Sequence, residues 1–176
     1  MNMMRKGGWT KRLGLLAAVA LLPACGISRW FGDGGDAVSV AEVARAQLCT
    51  AEDETSRVTL FRSALEAQEW QQRTGIELRL TDELKAGRYA LIEMGQRHTA
   101  GHGIAVSREA REVAGNLQIY TTYFAPAADA MAAQMISSPC VLVRLPNALY
   151  GAVEVYDQDG ELRATGVTTA PTVFGG

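Results

Sequence analysis

RYALIEM, residues 88–94, is the stretch on which the fold turns. It lies between Gly87 and Gly95 and is largely apolar, as a buried strand is. Strands follow from there. Ile104-Ala105-Val106 reads as a second strand beyond a glycine-rich loop, and Leu117–Phe124 (LQIYTTYF) is rich in β-branched and aromatic residues, with Gly115-Asn116 marking the turn before it. In Cys140–Leu145, Val141, Val143 and Leu145 share one face. Gly151–Tyr156 and Glu161–Val167 flank Asp157-Gln158-Asp159-Gly160, whose Asp-Gly pair is a hairpin signal.

Helices are fewer. Ser63 with Glu66 three residues on has capping-box spacing and opens a helix that runs to about Thr74 and stops at Gly75, with Leu65 and Trp70 as anchors. Thr81–Gly87 predicts one short helical turn capped by Thr81 or Asp82, and Pro126 begins an Ala/Met-rich helix over Ala127–Ile136, ended by Pro139. Met131 and Met135 lie four residues apart on that helix, the spacing of a core stripe, with an exposed methionine surface for a partner as the alternative. Val38–Cys49 holds a strand or, over Ala41–Gln47, a helix, and Arg57–Phe61 is β-prone. The expected fold is α+β: a predominantly antiparallel, sandwich-like sheet domain over residues 38–167, with one longer helix and one or two short ones. About 140 residues suffice for an independent core. Residues 168–176 read as a frayed tail.

The first 24 residues read as an export signal. Arg5, Lys6, Lys11 and Arg12 precede the ten-residue apolar run Leu13–Leu22, too short for a bilayer span of about 20 residues. Leu22-Pro23-Ala24-Cys25-Gly26 resembles a bacterial lipobox, which implies cleavage before Cys25 and acylation of its thiol. Gly26, not being Asp, implies sorting to the outer membrane with the domain facing the periplasm. Residues 25–37, glycine-rich after the cysteine, read as a tether. Without the signal, 13 Lys/Arg (17 less 4) face 19 Asp/Glu, a net charge of −6. An acidic chain lacks the basic face that nucleic acid requires.

Export places Cys49 and Cys140 in an oxidising space, so they predict a disulfide, with two separately buried thiols as the alternative. Catalytic signatures are few: there is no G-x-S-x-G, H-E-x-x-H, C-x-x-C or phosphate-binding glycine loop. His98 and His102 share a segment broken by Gly95, Gly101 and Gly103, with no acid closer than Glu93 or Glu109, a poor metal site. The expectation is a non-enzyme without cofactor, metal or catalytic residue. A small hydrolase or ligand carrier built around the two histidines is a remote rival.

Gly95, Thr99, Ala100, Gly101 and Ile104 after an apolar strand, then Pro126, Gln134-Met135-Ile136-Ser137-Ser138-Pro139 and a further strand from Cys140, resemble the C-terminal domain of PrcB-like protease-complex proteins. The likeness covers residues 88–146. The family tends to have Thr-Gly-Gly-Tyr where this chain has Thr99-Ala100-Gly101-His102. The resemblance implies a non-catalytic envelope protein, often a lipoprotein, that accompanies or stabilises an extracytoplasmic protease. It points to Gln96, Arg97, His98, Thr99, Gly101 and His102, and to Gln134, Ser137, Ser138 and Pro139, as partner-binding positions. The alternative is a structural or assembly lipoprotein of the outer membrane with no protease partner.

Overall fold

The structure is a computed structural model that describes residues 35–80 and 83–167. The export signal, Cys25 and the tail from 168 lie outside them. Among the described residues the elements are β1 (Asp36–Ser39), β2 (Ala41–Ala46), β3 (Arg57–Phe61), α1 (Ala64–Thr74), β4 (Arg79–Leu80), β5 (Tyr89–Glu93), β6 (Arg97–Thr99), β7 (Gly103–Val113), β8 (Asn116–Phe124), β9 (Gln134–Ser137), β10 (Cys140–Arg144), β11 (Ala152–Tyr156) and β12 (Leu162–Val167).

The central fact is the pair β5–β10. Every residue of β5 and the first four of β10 are buried. Side chains alternate across a strand, so both faces of this pair are covered. Ala90, Ile92, Met94, Val141 and Val143 enter one apolar cluster with Ile104, Leu117, Ile119, Val153 and Val155 of a facing sheet. Tyr89, Leu91, Cys140 and Leu142 enter a second cluster with Ala67 and Trp70 of α1. The strand order is β3-β5-β10-β2-β4 in the central sheet and β1-β7-β8-β11-β12 in the facing one. The result is three layers: sheet, sheet, helix. Pairing is antiparallel except between β8 and β11, which run parallel.

The helix has the caps its sequence announces. Ser63 Oγ accepts from the Glu66 N–H at 3.2 Å, and Gly75, at φ 69°, donates its N–H to Gln71 O at 2.9 Å. Glu66 Oε2 accepts from the Arg62 N–H at 2.7 Å, so the box closes one residue before the usual position. Trp70 is the anchor, its ring centroid 5.9 Å from that of Phe61. Leu65 is not: its side chain faces solvent at 63% exposure.

Other expectations fail for physical reasons. α1 is the single helix among the described residues. Residues 83–87 are irregular, and the helix expected over Ala127–Ile136 is absent, its last residues forming β9. Alanine propensity is a weak prior, and a short helix without a face to bury is marginal in water. This segment instead bonds across to β6. Ala41–Gln47 is not helical: its first six residues are β2, where fully buried Ala44 allows close packing beneath α1. β7 extends to Val113, well past the three residues that read as strand. A register shift between Val106 and Ala110 exposes Ser107–Glu109 and breaks the alternation. Asp36 and Ala37, read as tether, pair with Glu112 and Arg111.

Burial at α1 sets a contrast. Trp70→Ala should cost about 3–5 kcal/mol in urea unfolding, and Leu65→Ala should stay within about 0.5 kcal/mol of the parent. Equal losses would mean that α1 docks by its other face.

Candidate functional site

Two segments singled out separately in the sequence, 96–103 and 134–139, meet in space. β6 and β9 pair as a two-stranded ribbon with Arg97 opposite Ser137 and Thr99 opposite Gln134. The register shifts between these pairs, so Met135 and Ile136 together oppose His98, a bulge that re-aims side chains. Ala100 donates its N–H to Ala133 O at 2.9 Å, and Ser137 Oγ donates to Thr99 O at 3.3 Å.

The ribbon leaves the central pair at two points, Gly95 after β5 and Pro139 before β10. Residues 47–57 cross there as a strap. Ser138 N–H donates to Gln47 O at 2.8 Å and Cys49 N–H to Ser138 O at 2.9 Å. Cys49 and Cys140 form a disulfide with Cα atoms 6.1 Å apart. The Thr50 amide and hydroxyl both donate to Glu93 Oε1, at 3.0 and 2.9 Å, which satisfies a carboxylate that is only 2% exposed. Gln96 N–H donates to Asp53 O at 2.6 Å, and the Arg97 guanidinium reaches Glu54 O at 3.0 Å, Gln96 O at 2.8 Å and Met94 O at 2.8 Å. The Thr55 amide, ahead of the Arg57 guanidinium, holds the exposed Asp53 carboxyl below its usual range. Gly95 has φ +90°, and a Cβ there would lie 2.5 Å from the Glu54 backbone. Only glycine fits beneath the strap.

The proposed contact residues divide. His98 is exposed, its Nε2 3.7 Å from Glu54 Oε1. His102 Nε2 lies 3.1 Å from Thr99 Oγ1, so the two rings have different neighbours. Gly101, at φ +92°, abuts Pro126. Gln134 is exposed. Ser137, Ser138 and Pro139 are buried and present no side chain to solvent.

Sequence reading held the methionine part of the apolar surface only as its alternative and missed the rest. Leu48, Phe124, Met131, Met135 and Ile136 are each at least half exposed; Met135 and Ile136 belong to the ribbon, and Leu48 bridges to Ser138 at its base. The sequence signal was the Met131/Met135 spacing, assigned first to a helical core stripe. Among the described residues no three His, Cys, Asp or Glu side chains gather to hold a metal.

The strap makes two outcomes measurable. Alkylation of native protein with iodoacetamide should leave Cys49 and Cys140 unmodified until a reductant is added. Gly95→Ala should cost about 3 kcal/mol in urea unfolding, from backbone strain and the clash with Glu54.

No curated protein and no solved structure matches the chain. A family model described as PrcB C-terminal matches residues 88–146. That span runs from the start of β5 to the end of β10 and contains the whole ribbon. Over residues 88–146, therefore, the chain is similar to the PrcB C-terminal family.

Proposed function

We propose that this is a non-catalytic, lipid-anchored envelope protein that binds a partner protein through the β6–β9 ribbon and the loops beside it. The partner that the PrcB likeness implies is an extracytoplasmic protease, whose stability or activity the bound domain affects. The observation that carries this is the pair Met135 and Ile136, side by side in the bulge of the ribbon and each more than half exposed, with exposed Leu48 on the segment that bridges to Ser138. Exposed apolar side chains scattered singly need no explanation; a contiguous group marks an interaction site. The strap and the disulfide support it, because a surface held rigid before binding loses less entropy on docking.

The anchor is Cys25, and the domain begins at β1. The protein faces the periplasm from the outer membrane. It acts by contact and needs no cofactor or metal.

Met135→Glu/Ile136→Glu should leave thermal unfolding close to the parent's and lower recovery of a co-purifying protease about 10-fold or more, as loss of central interface residues does. Unchanged recovery would move the contact surface away from the ribbon. Cys25→Ser should transfer the protein from the membrane to the soluble fraction, and retention on the membrane would end the anchor assignment.

A further inference from the structure

We infer that the ribbon docks into an apolar groove whose rim carries lysine or arginine, and that the acidic strap beside the ribbon meets that rim. This rests on the partner-binding function proposed above and adds the chemistry of the partner's surface.

Glu52, Asp53 and Glu54 are consecutive and exposed on the strap, immediately beside β6. The nearby cations are already engaged. The Arg57 guanidinium lies 2.6 Å from Asp53 Oδ2. Arg97 turns its guanidinium onto three backbone carbonyl oxygens. Glu54 Oε1 lies 3.7 Å from the His98 imidazole. Glu52 and Glu54 are therefore left to offer negative charge on the side of β6, the strand that pairs with the one carrying Met135 and Ile136.

An apolar centre with a charged rim is the common anatomy of a protein interface. Here the strap contributes two carboxylates, Glu52 and Glu54, that no arginine among the described residues pairs with in a salt bridge. An anionic bilayer surface would repel them, so the apolar group is directed at a protein and not at lipid. A basic rim on the partner would speed encounter and fix the orientation in which the bulge enters its groove.

The test places a benzophenone side chain at Ile136 of the full-length, lipidated protein. The protein is irradiated in its native envelope, and the crosslinked peptide is sequenced by mass spectrometry. Glu52→Lys/Glu54→Lys is compared with Glu69→Lys/Glu77→Lys, which reverses two exposed charges on and after α1. The expected result is a protein adduct at an apolar segment flanked by Lys or Arg, with its yield reduced about 10-fold by the strap reversal and unchanged by the other. A protein adduct whose yield the strap reversal does not lower overturns the basic-rim inference and leaves the docking function standing. Adducts to lipid alone, or none, overturn both.

Discussion

Covering both faces of β5 and β10 is the constraint from which the rest follows. Two adjacent strands with no solvent-facing side must be apolar at almost every position, and Tyr89–Ile92 and Cys140–Val143 are. One face organises the facing sheet and the other receives α1. The exception is Glu93, at the end of β5 and opposite both Cys140 and Arg57. Its carboxylate is kept in place by Thr50, so the one charged position of the strand becomes an anchor for the strap. The ribbon is thus attached where the double burial ends, on the most firmly held part of the molecule.

Features set by neighbouring residues were legible in the sequence. The α1 caps, the 157–160 turn and the unbroken apolar run of β5 each depend on a few consecutive side chains. Features set by distant partners were not. β9 reads as helix because Ala127–Ile136 has helical composition, and only β6, more than thirty residues earlier, supplies the alternative bonds. β1 is four residues whose pairing lies with the far end of β7. The site shows the same division. Glycine and proline positions marked both segments, but nothing local reveals that they pair, that Met135 and Ile136 bulge outward, or that Ser137–Pro139 turn inward.

The departures from the PrcB pattern fall where the backbone tolerates them. Left-handed conformations occur at Gly95 and Gly101, not at Ala100, so a methyl group at that position meets no conformational penalty. His102 places its imidazole against Thr99, a short polar contact within the turn leading into β7.

The parallel pairing of β8 with β11 places β9 and β10 between strands that are neighbours in one sheet. A parallel neighbour requires a long return path, and residues 125–151 are that path. Val153 and Val155 complete the cluster that β5 and β10 begin, and Val40 joins it from upstream. The recognisable stretch 88–146 is therefore a region of sequence and not a unit of folding. Expressed alone it would keep β7–β8 and β5–β10 but expose the open edge of β8 and half of its own core to water. For this fold, the limits of family likeness are a poor guide to where the chain can be cut.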